Sequence, residues 1–172
     1  MKKLKGKIIK PVLFFIFFAL LIILCTQDCA FANSSDFGRV DAIKINLYFL
    51  RSDKNCLIIE LVAVECVIPN DIMEKAVQTV LEKLLDGPTK HEMERLDLWT
   101  AIPEGTKVNT IKINGKTISV DFSKELQNYG GGSLNAICIR GQIEKTLEQF
   151  PSIEEIVITV EGRDEKDGVL QP

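Results

Sequence analysis

Residues 73–85 constrain the fold more than any other stretch. Met73, Ala76, Val77, Val80, Leu81, Leu84 and Leu85 fall at i, i+3, i+4, i+7, i+8, i+11 and i+12, the repeat of an α-helix with one wide apolar face. Such a face is stable only against another apolar surface, so the chain must supply a layer for it to lie on. Asn70 or Asp71 can cap the start of this helix, and Gly87-Pro88 stops it.

The opposing layer reads as strands. In AIKINLYFLR, Ile43, Ile45, Leu47 and Phe49 share one face while Lys44, Asn46 and Tyr48 face away. SDKN is turn chemistry. CLIIELVAVECVI is apolar on both faces for most of its length, which predicts an interior strand paired antiparallel with the first. KVNTIKI and KTISVDF flank Asn114-Gly115 and read as a hairpin, with Ile118, Val120 and Phe122 lining one face. After Gly130-Gly131-Gly132, Ser133 can cap a second helix whose buried stripe is Ala136, Ile139, Ile143, Leu147 and Phe150. Gly141 inside that helix costs about 1 kcal/mol against Ala, which a close helix–sheet contact would justify. Pro151 ends the helix, and IEEIVITVEG is a last strand. The order ββ-α-ββ-α-β predicts an α/β fold: a single two-layer domain, a mixed sheet with two helices on one face.

Charge is unevenly spread along the chain. The formal net charge is −3, yet MKKLKGKIIK holds five lysines, and residues 33–172 carry 16 Lys and Arg against 23 Asp and Glu. A domain this acidic repels phosphate backbones, so nucleic acid is not expected as a partner. The lysines precede the apolar run Val12–Cys25, which is short for a membrane span of about 20 residues but fits a secretory signal. Ala30-Phe31-Ala32 offers a cleavage site. The reading is therefore residues 1–32 as a signal peptide (or an N-terminal membrane anchor), 33–41 as a linker, 42–162 as the domain and 163–172 as a C-terminal tail. An exported protein at the cell envelope follows, with membrane contact only through an uncleaved N-terminal segment. Leu24 precedes Cys25 and Asp28 precedes Cys29, whereas a lipidated Cys normally follows a small residue.

No catalytic set emerges. His91 is the only histidine, and no G-x-S-x-G or zinc spacing occurs. Cys56 and Cys66 lie about 33 Å apart if their strand is straight, too far to bridge. A Cys66–Cys138 bridge is conceivable but unsupported by the sequence, and the favoured reading is small buried hydrophobes. Asp121 and Glu125 could form the carboxylate pair of a secreted hydrolase, but Asp121 alternates out of its strand. Asp164, Glu165 and Asp167 before Gly168 lack the spacing of a calcium loop. Neither a cofactor nor a metal is implied. The candidate ligand-binding residues are Gly130, Gly131, Gly132 and Ser133, whose N–H groups could cradle an anion, and Trp99, as core or partner contact.

The segments INLYFLR, LLDGP, IPEGTKV, VDFS, the Gly-Gly-Ser helix start, KTLEQFP and IEEIVITVEG, in that order over about residues 41–162, resemble the GerMN domain family of sporulation and spore-germination envelope proteins. The resemblance implies a fold similar to ring-building modules of secretion and sporulation complexes. It also implies a non-catalytic, extracytoplasmic assembly role with envelope or sporulation-complex proteins as partners. Family members often occur as lipoproteins with tandem domains, whereas one copy is seen here. A cell-wall glycan (peptidoglycan) or small-ligand binding module is the alternative expectation. N-terminal sequencing of the mature protein is expected to begin at Asn33; a start at Met1 would remove the cleaved-signal reading.

Overall fold

The computed structural model describes residues 42–53 and 58–171. The expected signal segment, the linker and Cys25, Cys29 and Cys56 lie outside the described residues. The elements are β1 (Ala42–Ser52), β2 (Ile59–Pro69), α1 (Met73–Leu85), α2 (Lys90–Leu96), β3 (Leu98–Trp99), β4 (Val108–Asn114), β5 (Thr117–Phe122), α3 (Ser133–Leu147) and β6 (Glu155–Val160). Short 3-10 turns follow β5 and β6. The α/β class and the order ββ-α-ββ-α-β hold, with α2 and β3 inserted between α1 and β4.

The strands fall into two three-stranded sheets, β2-β1-β3 and β4-β5-β6, where a single mixed sheet was expected. β1 pairs antiparallel with β2 over their full length, Ala42 opposite Pro69 and Ser52 opposite Ile59. β4 and β5 form the hairpin, and β6 returns parallel to β5 after α3. The hairpin turn is Gly115-Lys116, one residue later than Asn114-Gly115, because Asn114 still pairs with Thr117. Gly115 takes φ 60°, the positive value its first turn position requires.

Both helical stripes are buried as the periodicity predicts. Val77, Val80, Leu81 and Leu84 of α1 and Ile139, Ile143 and Leu147 of α3 are fully buried, in one core with Ile45, Leu47 and Phe49 of β1 and Ile118, Val120 and Phe122 of β5. The start of α1 departs from expectation: Ile72 occupies the N-cap and gives no side-chain bond, while Asp71 accepts from the Ile72 N–H. Val169 and Leu170, in the segment read as a tail, are also core residues. Gly141 has the close contact its position suggested: a Cβ there would stand 3.3 Å from Leu61 Cδ1 of β2.

β2 is an edge strand, not an interior one. Its apolar residues serve two faces because Val62, Val64 and Cys66 join the core side while Leu61 meets α3. β1 is the central strand, and its second edge is finished by side chains. Gln149 donates to the Asn46 carbonyl at 2.6 Å and accepts from the Asn46 N–H at 2.8 Å. Thr146 Oγ1 accepts from the Tyr48 N–H at 3.2 Å, and Gln142 donates to the Tyr48 carbonyl at 3.1 Å. Gln142 also accepts from the Ala101 N–H at 2.8 Å. Leu50, two residues on from Tyr48, pairs with Trp99 of β3. The flank of α3 and the turn after it, which holds Gln149, therefore occupy the place where another strand would join β1, which is why the strands divide into two sheets.

Gln142 and Thr146 are completely buried, and among the described residues no buried side-chain N or O atom lacks a partner. Replacing either glutamine by Ala leaves main-chain groups of β1 without partners. Gln142→Ala and Gln149→Ala are each expected to lose about 1–3 kcal/mol in urea unfolding, whereas the exposed Gln78→Ala is expected to lose little.

Candidate functional site

The helix α1 ends as LLDGP predicts. The Gly87 N–H donates to the Leu84 carbonyl, and Gly87 adopts φ 77°, a left-handed stop that favours glycine. Pro88 and Thr89 then turn the chain directly into α2. Thr89 and Glu92 form a capping box: the Glu92 N–H donates to Thr89 Oγ1, and the Thr89 N–H donates to the Glu92 carboxylate at 2.7 Å. No residue of α2 is buried, and His91 lies exposed on it. His91 and its acidic neighbours Glu92 and Glu94 thus belong to a solvated helical turn.

These segments border an open groove. Its volume is about 390 Å³. Leu47 and Phe49 of β1 and Val64 and Cys66 of β2 form an apolar floor. Lys83, Asp86, Thr89 and Glu92 form the helical wall. Met93 and Leu96, both more than two-fifths exposed, continue the Thr89–Glu92 stripe at i+4 and i+7. Val67, on β2, lines the groove and is 55% exposed. Apolar groups thus stand in water beside an apolar floor. Periodicity could not have found this groove, since its two walls are separated in sequence and meet only by packing.

The residues singled out from sequence lie elsewhere. Gly130, Gly131 and Gly132 take φ 76°, 80° and 94° and are exposed, with open space where each Cβ would stand. Gly132, rather than Ser133, holds the N-cap of α3, and Ser133 is the first helical residue. Asn135 Nδ2 donates back to the Tyr129 and Gly131 carbonyls and closes this turn. Trp99 is half-buried on β3, its Nε1 donating to Ser52 Oγ at 3.2 Å. Among the described residues no hydrogen bond joins the glycine turn to Trp99.

Asp121 holds strands together. It accepts from Thr159 Oγ1 at 2.7 Å, from the Gly162 N–H at 2.8 Å and from Asn109 Nδ2 at 3.0 Å. Burial acts to raise its carboxyl, but these hydrogen bonds and the Lys112 charge outweigh that and hold it below the usual aspartate value. A hydrogen bond from Ser123 and its own N–H lower Glu125 likewise. A general acid of a glycoside hydrolase needs a raised carboxyl, and neither residue is one. Cys66 and Cys138 are both free thiols, with burial pushing the Cys138 thiol up. Among the described residues no group of three or more His, Cys, Asp or Glu is placed to hold a metal ion, and no helix is long and apolar enough to cross a membrane.

Two small sheets tied together by a helix, with an open groove between strand edge and helices, define an α/β domain. The chain belongs to the Germane family, described as sporulation and spore germination, which matches residues 46–166. Among solved structures it is similar to the first GerMN domain of the sporulation protein GerM from Bacillus subtilis: 26% identity, TM-score 0.50, covering 71% of this chain and 85% of that one. It is also similar in fold to the tandem GerMN domains of the same protein, at 20% identity and TM-score 0.57, covering 72% of this chain and 40% of that one. The chain thus spans less than half of the tandem structure. No curated protein matches. The family is not a known enzyme class.

The lowered Asp121 carboxyl sets a sign for pH dependence. A carboxyl depressed in the folded state adds stability above its unfolded value, about 3.9, and that stability is lost as pH falls through the folded value. The difference in urea midpoint between the native protein and Asp121→Asn is therefore expected to be widest above about pH 5 and to shrink on acidification. A gap that widened in acid would contradict this assignment.

Proposed function

We propose that the protein is a non-catalytic assembly module that works outside the cytoplasmic membrane in sporulation or spore germination. The observation that carries this reading is the family match over residues 46–166 on a fold whose open groove joins an apolar floor to a charged wall. Export is supported by the lysine-rich start followed by the apolar run Val12–Cys25, which act as a signal peptide or an anchor. The partners in this reading are envelope or sporulation-complex proteins. Asp121 supports it as well, since this member of the Asp121–Glu125 pair is engaged by Thr159, Gly162 and Asn109.

A second reading is binding of wall glycan or a small ligand at Gly130, Gly131, Gly132 and Ser133 with Trp99. What favours it is the exposed, side-chain-free main chain of the turn. What weighs against it is Trp99, whose indole N–H is already engaged and whose ring is half-buried.

In-cell crosslinking followed by mass spectrometry separates the two. The assembly reading expects an envelope protein to be captured and a deletion strain to sporulate or germinate poorly. Capture of wall fragments alone, with a calorimetric heat on titrating them, would favour the second. An unchanged deletion strain with no captured partner would remove the first.

A further inference from the structure

The register of β1 and β2 fixes which main-chain groups of β2 point outward. In an antiparallel ladder, residues alternate between pairs that exchange both hydrogen bonds and pairs whose groups point away from each other. The Asn46 and Tyr48 groups point to α3, so their partners across the ladder, Glu65 and Ala63, turn their N–H and C=O groups the opposite way. By the same alternation Leu61 and Val67 present theirs on that outer edge, and among the described residues no strand pairs with it.

Other edges in the molecule carry protection. The far edge of β1 is closed by α3 and β3. β4 has a bulge between Val108 and Thr110 and an exposed Lys112. β6 is only six residues long. β2 has eleven residues in unbroken register, with Pro only at its last position. Its acids Glu60 and Glu65 are matched by Arg51 at 2.7 Å and Lys44 at 2.9 Å, so no unbalanced charge guards it.

This edge borders the groove. Four consecutive residues, Val64 to Val67, line it; successive side chains leave opposite faces, so the groove runs along β2's main chain. With Glu65 paired to Lys44, its lining sets a single cation, Lys83, against Asp86 and Glu92. Resting on the assembly reading above, we infer that β2 accepts an added strand from a partner protein, an extended segment alternating basic and apolar residues. One set of alternate side chains enters the groove, with aliphatic stems over Val64 and Cys66 and cationic heads at Asp86 and Glu92. The other set lies beside Ala63, Glu65 and Val67, exposed on the opposite face of β2. The hydrogen bonds go to Ala63, Glu65 and Val67.

The test uses the full chain in detergent and a fluorescent peptide of alternating Val and Lys, read by anisotropy and amide hydrogen exchange. Saturable binding with added protection of the Ala63, Glu65 and Val67 amides is expected. Ala63→Pro removes an outward N–H and leaves the ladder to β1 intact; it and Val67→Lys are expected to weaken binding about tenfold with little change in melting. Asp86→Lys should weaken it too, and a peptide methylated on alternate main-chain nitrogens should not bind. The inference is overturned by no binding, by equal binding of the methylated peptide or of a Val–Glu peptide, or by native affinity in Ala63→Pro and Val67→Lys. Self-association of the chain that Ala63→Pro abolishes would also overturn it, by assigning the edge to a second copy. If in-cell crosslinking still captures the envelope partner with Ala63→Pro, the site fails while the assembly reading stands. If the native chain captures none, the assembly reading fails.

Discussion

A helix flank finishes the central strand of this protein. Gln149 both gives to and takes from Asn46, the pattern a neighbouring strand would provide, and Thr146 and Gln142 continue it along Tyr48. Gln142 reaches further, to the Ala101 N–H beyond β3. One helix thereby satisfies a strand edge, fixes the height of α3 against β1 and anchors the connection that leads to the second sheet. An unpartnered buried main-chain group is costly enough that this register tolerates little slippage. Gly141, next to Gln142, lets α3 approach Leu61 to a distance a larger residue would crowd.

Closing one side of β1 leaves the other side of its sheet to β2. A two-layer fold buries the inner faces of its strands but does not by itself cover their ends and edges. Here α1 covers β1 well and β2 incompletely, so Val64 and Cys66 stay half-buried under an open groove. The capped turn from α1 into α2 brings carboxylates to the rim of that groove. This asymmetry is the ground for the proposal that the fold is a scaffold for contact with another molecule.

Much of this architecture is legible in sequence because periodicity reports burial. The stripe 73–85 and the alternation in β1 and β5 identify residues that are buried in the fold. Turn chemistry is nearly as legible: Gly87 and Gly105 both adopt positive φ, and Thr106 closes its turn on the Pro103 carbonyl. The hairpin turn falls one residue late because Asn114 and Gly115 suit either position until strand pairing decides. β2 was less legible. Apolar residues on both faces signal burial by any neighbour, strand or helix, so the pattern did not distinguish an interior strand from an edge strand beneath a helix.

The candidate site divides along the same line. Rare residue types drew notice to His91, Trp99 and the glycine run, yet His91 is solvated and Trp99 is held by Ser52. The groove residues are ordinary in type and distinctive only in placement. From its sequence alone the chain determines two one-faced helices, strands with a buried face, their order and the family to which they belong, because each depends on near neighbours or on motif order. Only the tertiary structure decides that Gln142, Thr146 and Gln149 complete β1, that the strands form two sheets, and that no strand among the described residues pairs with the outer edge of β2. Those outcomes depend on hydrogen bonds between groups about a hundred residues apart, such as Asn46 and Gln149, and no local pattern encodes which distant polar group will meet which strand.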